Sequence, residues 1–181
     1  MSGNSHFTDA LLARSRSVKV LLLDVDGVLT DGGLFYSAQG ESLKRFNTLD
    51  GHGLKMLQSA GITVAVITGR DSEPLRARLA ALGINHARYG IDDKLPAAQD
   101  ILAELQLDWS QTAAMGDDWP DWPMMKDAAL RCAPSNAHHE IVSRADFVSR
   151  SQGGHGAVRE VCDLLLSATG HYQTIAAKYT L

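Results

Sequence analysis

Asp24 and Asp26 are a closely spaced pair of carboxylates that follow an apolar run and precede Gly27. Side chains two residues apart on a strand point the same way, so the two carboxylates are expected to lie together. At such close range they repel each other and require either a cation between them or a shared proton. Magnesium prefers oxygen ligands and commonly retains waters and phosphate oxygens. The pair therefore predicts a nucleophile, a metal ligand and an acid/base, with an ordinary polar loop as the alternative.

Three further polar motifs follow apolar runs or open helical stretches. Thr68-Gly69-Arg70 offers a hydroxyl and backbone N–H groups where a strand ends and a helix begins, which favours anion binding. Lys94 opens a helical stretch, and Gly116-Asp117-Asp118, with Asp121 shortly after, ends another strand. Each motif alone is also typical of a turn, a solvated surface charge or a helix start. Together they place a hydroxyl, a lysine and a second acidic cluster at the carboxyl ends of successive strands.

The sequences DVDGVLTDG, ITGR, Lys94 and GDDWPD, in this order, resemble the four motifs of the haloacid dehalogenase superfamily of phosphatases. Within it, the chain is most similar to the family of 3-deoxy-D-manno-octulosonate 8-phosphate (Kdo 8-phosphate) phosphatases. The matching segments are FNTLDGHGLK at 46–55, ITGR at 67–70, GDDWPDWPMM at 116–125 and GGHGAVREVCDLLL at 153–166. The resemblance implies a magnesium-dependent hydrolase that forms Kdo and inorganic phosphate for lipopolysaccharide precursors.

The resemblance also implies how the residues share the chemistry. Asp24 would attack phosphorus to form an aspartyl-phosphate, and Asp26 would protonate the leaving oxygen and then activate water. Mg²⁺ would be held by the carboxylates of Asp24 and Asp117 and by the main-chain carbonyl of Asp26. Thr68 and Lys94 would hold the phosphoryl oxygens and offset their charge.

Further residues are expected around this centre. Asp118 and Asp121 would orient the site from behind or hold Lys94. Arg70 and Arg78 would supply positive charge for a sugar-acid carboxylate, which the arginine fork binds in a bidentate manner. For Arg78 and Lys55 a solvated helix face is the alternative. By resemblance, the predicted substrate-binding residues are Asp26, Asn47, Thr48, Leu49, Asp50, Gly51, Lys55, Arg70, Arg78 and Lys94.

Two rival functions remain beside Kdo 8-phosphate hydrolysis. One is a phosphatase for another nonulosonate, such as a sialic-acid 9-phosphate, which would share every catalytic motif. The other is a catalytically silent tetrameric module serving a partner enzyme, against which the intact Asp24, Asp26, Lys94 and Asp117 argue. Asp26 also argues against a dehalogenase, because the dehalogenases of the superfamily lack this second aspartate.

The apolar pattern predicts the elements that position these residues. Strands are expected at 18–25 and 63–68, with weaker candidates at 86–89, 112–115, 130–133 and 147–148. Apolar residues at helical spacing lie between them, so we predict an α/β fold with a Rossmann-like, mostly parallel sheet flanked by helices. Residues 32–47 read as a β-hairpin inserted after the first strand. The predicted organisation is a segment 1–17, one phosphatase domain 18–170 and a tail 171–181.

The intervals between the motifs are too short to hold a separate cap domain over the site. The similar family covers its site by forming a homotetramer in which neighbouring subunits shape each pocket, and the resemblance implies the same here. His155 replaces an arginine common in close relatives, and would be a weaker, pH-dependent substitute if that position contacts a neighbour's substrate. The tail 171–181 is expected either to reach a neighbouring site or to be disordered.

Composition sets the broad class of protein. The 181 residues suit one domain, and 45% hydrophobic with 21% charged residues is ordinary for a globular protein. A formal net charge of -4 argues against nonspecific binding to nucleic acid or membranes, both of which require excess Lys and Arg. Cys132 and Cys162 are expected to be reduced and buried. Without a signal-peptide pattern or long apolar run, we expect a cytoplasmic protein.

Overall fold

The computed structural model describes residues 7–180, which form a six-stranded sheet, a separate hairpin and eight α-helices. None of the helices formed by these residues has the length and apolar character needed to cross a membrane. The elements in chain order are α1 (Asp9–Ser15), β1 (Val20–Leu23), β2 (Phe35–Ser37), β3 (Gly40–Leu43), α2 (Thr48–Ser59), β4 (Thr63–Ile67), α3 (Glu73–Leu82), β5 (His86–Arg88), α4 (Lys94–Leu105), β6 (Thr112–Met115), α5 (Trp122–Met125), β7 (Leu130–Ala133), α6 (His139–Val142), β8 (Phe147–Val148), α7 (Ala157–Ala168) and α8 (Tyr172–Ala177).

The sheet has the strand order β5-β4-β1-β6-β7-β8, and every neighbouring pair is parallel. This confirms the predicted α/β fold with a parallel sheet. Because all six strands run the same way, their carboxyl ends meet at one edge, where ligands bind in open α/β sheets. β1 lies between β4 and β6, so the residues that follow β1 emerge near the middle of that edge.

The two faces of the sheet are both covered, which explains why β1 is apolar throughout. Leu21 and Leu23 join one core cluster with residues of α2 and α7, while Val20 and Leu22 join a second with residues of α4 and α5. Each of the four side chains is fully buried, which contributes roughly 1.5–3 kcal/mol per side chain. The rigid centre of the sheet therefore fixes where the following loop begins.

The predicted strand at 18–25 is longer than the observed β1. Ladder pairing with β4 and β6 ends at Leu23. The carbonyl oxygen of Val25 instead accepts hydrogen bonds from the backbone N–H groups of Val28 and Thr30, at 3.3 and 2.9 Å. The chain therefore turns away from the sheet at Asp24 and Val25. The predicted strands at 63–68 and 86–89 are each one residue too long for the same reason, since β4 and β5 end where their ladder pairing ends.

The predicted hairpin is confirmed, with β2 and β3 as short antiparallel strands outside the main sheet. Gly40 has φ of 105°, which the turn into β3 requires and which favours glycine. The hairpin leaves a set of large apolar side chains between 42% and 65% exposed, namely Leu34, Phe35, Tyr36 and Leu43. No element large enough to be a cap domain occurs within residues 7–180, as predicted.

Both ends of the chain contain a helix that the sequence analysis did not assign. α1 lies within the predicted segment 1–17 and packs against α7. α8 lies within the predicted tail, where Tyr172 and Ile175 pack on the core and the Tyr179 ring lies edge-on to His52. Residues 1–6 and residue 181 of these two predicted segments lie outside the described residues.

Cys132 in β7 and Cys162 in α7 are free and buried, as expected. Burial raises the pKa of the Cys162 thiol well above its ordinary value, so it stays protonated. Its sulfur also explains a glycine inside α2, because a Cβ on Gly53 would lie 3.1 Å from Cys162 Sγ. α2 and α7 can therefore approach closely, which fixes the helix that carries the predicted substrate wall.

Candidate active site

Asp24 and Asp26 lie in the turn that leaves the centre of the sheet. The Asp24 backbone N–H still donates to the carbonyl oxygen of Met115 at 3.1 Å, so Asp24 is fixed to the neighbouring strand β6. The Thr30 hydroxyl accepts hydrogen bonds from the N–H groups of Gly27 and Gly32, at 3.4 and 3.2 Å, and closes the turn. Asp24 is almost fully buried, whereas the Asp26 side chain is 21% exposed. The pair therefore combines an enclosed carboxylate with one at the mouth of the site.

Gly27 permits the close approach of Asp117. Gly27 has φ of 99°, and a Cβ there would lie 2.1 Å from Asp117 Oδ2. No larger residue fits without displacing that carboxylate. The glycine in the Asp-x-Asp-Gly pattern thus serves the second acidic cluster as well as the turn.

Three carboxylates converge at the end of β1 and β6. One oxygen each from Asp24, Asp117 and Asp121 lies within 4.8 Å of the others. An all-oxygen donor set of this kind suits Mg²⁺, which prefers hard oxygen ligands. The structure therefore brings together Asp24 and Asp117, two of the three predicted metal ligands, and adds Asp121 to the group.

Lys94 is buried among these carboxylates at the first position of α4. Its Nζ donates to Asp24 Oδ1 and, at 2.5 Å, to Asp121 Oδ1. Asp93 caps the helix by accepting from the N–H of Leu95 at 3.2 Å, which sets the direction in which Lys94 leaves the backbone. A buried ammonium requires such partners because desolvation otherwise disfavours its charge. The site therefore presents Lys94 as a fixed cation beside the predicted nucleophile.

Asp121 is held by the loop that follows β6. Its Oδ2 accepts from the backbone N–H groups of Asp117 and Asp118, at 2.9 and 3.1 Å. A Cβ on Gly116 would lie 2.2 Å from Asp121 Cβ, so the glycine makes room for this arrangement. Asp118 itself is exposed, and its carboxylate accepts from the N–H of Trp119 at 2.8 Å. Of the two residues predicted to support the site, Asp121 contacts Lys94, and Asp118 caps the following turn.

The cluster carries more negative charge than Lys94 offsets. Burial, followed by the charge of Asp121, raises the pKa of Asp24 from 3.8 to about 7 although Lys94 opposes the shift. Burial, followed by the charges of Asp24, Asp121 and Asp118, raises the pKa of Asp117 to about 8. Burial lowers the pKa of Lys94, but the carboxylates of Asp24 and Asp121 outweigh it and hold that pKa above its ordinary value. A divalent cation at this position would relieve the repulsion, so the residues fit Mg²⁺.

Thr68 and Arg70 lie at the end of the neighbouring strand β4. The Thr68 hydroxyl is buried and accepts from the N–H of Arg70 at 3.2 Å. Arg70 Nη1 donates to the Tyr36 hydroxyl at 3.2 Å, and Arg70 Nε lies 3.6 Å from Asp26 Oδ2. Arg70 is therefore placed at the mouth of the site, between the end of the sheet and the hairpin.

The predicted substrate wall at 47–51 is the N-terminus of α2, and its side chains point in different directions. Asn47 caps the helix through the N–H of Leu49 at 2.7 Å and donates to the carbonyl of Gly154 at 3.3 Å. Arg78 Nη2 donates to the Asn47 carbonyl at 3.3 Å and lies over Gly51. The remaining predicted wall residues that are exposed are Thr48, Leu49 and Lys55.

Asp50 faces the protein interior. Its two oxygens accept from the backbone N–H groups of Arg159, at 2.8 Å, and Gly156, at 3.3 Å, at the start of α7. Burial raises the pKa of Asp50, against the effect of these hydrogen bonds. The carboxylate therefore ties α2 to α7, and only the backbone of Asp50 is left to line a pocket.

His155, at the position where the resemblance led us to expect an arginine, is engaged within the chain. Its Nε2 lies 2.7 Å from Arg45 Nη2, and its Nδ1 lies 2.9 Å from the Gly153 carbonyl. Arg45 also pairs with Asp31 at 3.3 Å. A Cβ on Gly153 would lie 1.7 Å from the Gly27 carbonyl oxygen, so the loop at 153–156 presses directly on the turn that carries Asp26.

Sequence reasoning missed Lys44. It follows β3, and its Nζ lies 2.5 Å from Asp26 Oδ1 and 2.7 Å from Glu41 Oε1. Its side chain is only 1% exposed. Burial of a lysine depends on the folding of the hairpin over the site, and no motif in one sequence signals it.

Comparisons with known proteins point to one family. A family model described as haloacid dehalogenase-like hydrolase matches residues 90–161. The 3-deoxy-D-manno-octulosonate 8-phosphate phosphatase KdsC of Escherichia coli (strain K12) is 45% identical over 160 residues, which cover 88% of this chain and 85% of that protein.

Solved structures are similar over nearly the whole chain. The crystal structure of 3-deoxy-D-manno-octulosonate 8-phosphate phosphatase from Yersinia pestis has a TM-score of 0.90 and 43% identity, covering 92% of this chain and 90% of that one. The corresponding enzyme from Moraxella catarrhalis, crystallised with magnesium ion, phosphate ion and KDO, has a TM-score of 0.92 and 35% identity. That similarity covers 96% of this chain and 99% of the other.

Proposed function

The chain belongs to the family of 3-deoxy-D-manno-octulosonate 8-phosphate phosphatases, within the haloacid dehalogenase-like hydrolases, and on this premise we propose that it hydrolyses Kdo 8-phosphate. The products are Kdo and inorganic phosphate, and the reaction serves lipopolysaccharide precursor biosynthesis in the cytoplasm. The observation that carries the proposal is the buried contact of Lys94 with Asp24 and Asp121 beside Asp117. It supplies a nucleophile, a fixed cation and a metal-binding pair at the edge of the sheet.

In the first step, an Asp24 carboxylate oxygen attacks phosphorus, and the bond from phosphorus to the sugar oxygen breaks with its electron pair. Asp26 donates a proton to that oxygen, so Kdo leaves as an alcohol. In the second step, water gives its proton to Asp26 and attacks phosphorus. The bond to Asp24 then breaks, which releases phosphate and returns Asp24 to its carboxylate form and Asp26 to its protonated form.

The residues around Asp24 support this sequence of steps electrostatically. Lys94 has three N–H donors, and the contacts with Asp24 and Asp121 use two of them. The third is assigned to a phosphoryl oxygen, as is the buried Thr68 hydroxyl. Fixed donors of this kind stabilise developing charge without having to reorganise during the reaction.

The carboxylates of Asp24 and Asp117 and the main-chain carbonyl of Asp26 are assigned to hold Mg²⁺. When bound, Mg²⁺ offsets negative charge on the carboxylates and on the phosphoryl oxygens. The raised pKa values of Asp24 and Asp117 and the all-oxygen donor set support this assignment. The structure of the Moraxella catarrhalis enzyme in complex with a magnesium ion supports the choice of metal.

The remainder of Kdo 8-phosphate is assigned to the mouth of the site. Arg70 is half exposed beside Asp26, which places a guanidinium where a sugar-acid carboxylate can reach it. Arg78 lies over the N-terminus of α2, at Asn47 and Gly51. The assigned pocket residues are Asp26, Asn47, Thr48, Leu49, Asp50, Gly51, Lys55, Arg70, Arg78 and Lys94.

A homotetramer is part of the proposal. The residues 7–180 contain no cap domain, and the hairpin exposes Leu34, Phe35, Tyr36 and Leu43 next to the site. Exposed apolar side chains in such a group are typical of an interface. Neighbouring subunits are thus assigned to cover the pocket, with residues 18–170 as the phosphatase domain. In the tail, the Tyr179 ring contacts His52 of α2.

The test is a phosphate-release panel over sugar phosphates, with and without Mg²⁺. Magnesium-dependent turnover that strongly favours Kdo 8-phosphate is expected. A clear preference for a sialic-acid 9-phosphate would redirect the proposal to another nonulosonate. A purified, folded protein that releases no phosphate from any sugar-acid phosphate would support a catalytically silent module instead.

A further inference from the structure

Lys44 is a buried cation that the assigned chemistry leaves without a role. Its Nζ lies 2.5 Å from Asp26 Oδ1, and its side chain is 1% exposed. A lysine is rarely buried unless it is paired, because desolvation of an ammonium is costly. Here Asp26 and Glu41 provide the pairing, the latter at 2.7 Å. The structure thus pairs a buried lysine with the carboxylate assigned as acid/base.

The two oxygens of Asp26 face different cations. Lys44 holds Oδ1, whereas Arg70 Nε lies 3.6 Å from Oδ2. The difference in distance separates a direct hydrogen bond from a looser ion pair. Lys44 therefore fixes one oxygen of the carboxylate and leaves the other oriented toward the mouth of the site, where the substrate is assigned.

Both strands of the hairpin take part in this arrangement. Lys44 follows β3 directly, and Tyr36 in β2 accepts a hydrogen bond from Arg70 at 3.2 Å. The hairpin lies outside the main sheet, and β2 is exposed along its whole length. Among the charged side chains of residues 35–44, Lys44 is the most deeply buried, at 1% exposed against 10% for Glu41, and it is the one that reaches Asp26.

We infer that Lys44 is a positioning residue that holds Oδ1 of the Asp26 carboxyl group, so that a proton on Oδ2 can pass to the leaving sugar oxygen. Glu41 holds Lys44 in turn, so the hairpin acts as the support of the acid/base. The inference rests on the proposed function, since it concerns the assigned role of Asp26. Lys44 touches neither phosphorus nor the nucleophile in this assignment, and acts only through Asp26.

The test is a double-mutant cycle on Kdo 8-phosphate hydrolysis with Lys44→Met and Asp26→Asn. Acid/base catalysis by a positioned side chain contributes on the order of 100- to 10,000-fold, so Lys44→Met is expected to lower kcat roughly 10- to 100-fold. KM should change less than about 3-fold. The double variant should be no slower than Asp26→Asn alone, because interacting residues are not additive.

A second readout compares leaving groups. Lys44→Met should lower kcat/KM for Kdo 8-phosphate more than for p-nitrophenyl phosphate, whose phenolate leaves without a proton. Lys44→Arg should restore part of the loss because it keeps the charge. The exposed Lys126→Met is the matched control and should behave as the wild type. If Lys44→Met does not fold, the same cycle is run with Glu41→Gln, for which a smaller loss that is again absent in the Asp26→Asn background is expected.

Losses that multiply in the double variant would overturn the inference, as would an equal loss on both substrates with a lowered Tm. An unchanged kcat in Lys44→Met would overturn it too. These outcomes leave the proposed function standing, since the wild type still hydrolyses Kdo 8-phosphate. Failure of the wild type to release phosphate would instead reject the proposed function.

Discussion

The carboxylate cluster at the end of β1 and the hairpin of β2 and β3 meet at Asp26, but they are stabilised differently. Asp24, Lys94 and Asp121 are buried and hold one another through side-chain hydrogen bonds that lie within one chain. The hairpin has two short strands and exposes Leu43 at 65%. A two-stranded hairpin alone is marginally stable in water, so contacts beyond its own strands must hold it in place.

This difference separates the chemistry from the pocket. The reacting groups are preorganised by a packed sheet edge, which costs little reorganisation during the reaction. The surfaces that would enclose a sugar acid are exposed, and they include the large apolar side chains of the hairpin. We therefore expect changes in the cluster, and in the Lys44 side chain that reaches it, to affect the rate of chemistry. Changes on the exposed apolar face of the hairpin should affect assembly and substrate affinity.

The largest effect is expected from Asp24→Asn. Loss of the nucleophile should lower phosphate release about 10,000-fold or more, while Tm stays close to that of the wild type because shape and packing are kept. Steady-state assays and thermal unfolding measure the two quantities. Asp100→Asn, exposed on α4, is the control and should be fully active. Substantial turnover by Asp24→Asn would reject its assignment as nucleophile.

A smaller loss, about 100-fold in kcat, is expected from Asp121→Asn. The amide removes one of the two charges that hold Lys94, so the ammonium loses its fixed position beside Asp24. Asp118→Asn is the matched comparison and should change kcat by less than about 3-fold, since Asp118 is exposed. Equal losses in both variants would show that the loop after β6 acts as one unit.

Leu43→Asp should separate assembly from chemistry. A charge on the exposed hairpin face should dissociate the proposed tetramer. Loss of a central apolar residue from an interface commonly lowers the affinity between subunits about tenfold or more. Size-exclusion chromatography with light scattering should report smaller species, and KM for Kdo 8-phosphate should rise. Gln99→Asp on exposed α4 is the control. A tetramer that persists in Leu43→Asp would place the interface elsewhere.

The pH dependence of stability should reveal the charge of the cluster. The pKa of Asp24 is raised from 3.8 to about 7, and that of Asp117 from 3.8 to about 8. Between about pH 4 and about pH 8, the folded state therefore binds more protons than the unfolded state. Without metal, stability is therefore fully present below about pH 4 for these groups and is lost as the pH rises toward 8.

Mg²⁺ should restore that stability, because it binds the ionised carboxylates. Its effect on Tm should grow between about pH 6 and about pH 8.5. Differential scanning fluorimetry across pH, with EDTA or with Mg²⁺, measures this. In Asp117→Asn, the effect of Mg²⁺ on Tm should increase less with pH than in the wild type. A Mg²⁺ effect independent of pH would contradict the assignment of these carboxylates as ligands.

The smallest effect is expected from removal of residues 172–181. α8 packs on the core through Tyr172 and Ile175. It contributes none of the residues assigned to bind the phosphoryl group. KM or the rate of product release should change roughly a few-fold, while single-turnover assays should show that the chemical step persists. Unchanged kinetics throughout would show that the tail has no part in catalysis.

Much of the catalytic edge could be predicted from the pattern of residues along the chain. Apolar runs followed by Asp24, Thr68 and Asp117 predicted three parallel strands whose ends meet, because residues that follow buried strands must emerge at the same edge of the sheet. That relation is local in sequence and needs no knowledge of packing. The hairpin at 32–47 and the absence of a cap were likewise predictable from spacing.

The directions in which certain side chains point depend on the packing of the whole fold. Asp50 was predicted to line the substrate pocket, and the structure shows that its carboxylate accepts hydrogen bonds from the start of α7. Lys44 gave no signal, yet it is buried against Asp26. Asp121 was predicted either to orient the site from behind or to hold Lys94, and it contacts Lys94. Such directions depend on contacts between residues far apart in the chain, so the pattern around each residue predicts its type of site and leaves its partner undetermined.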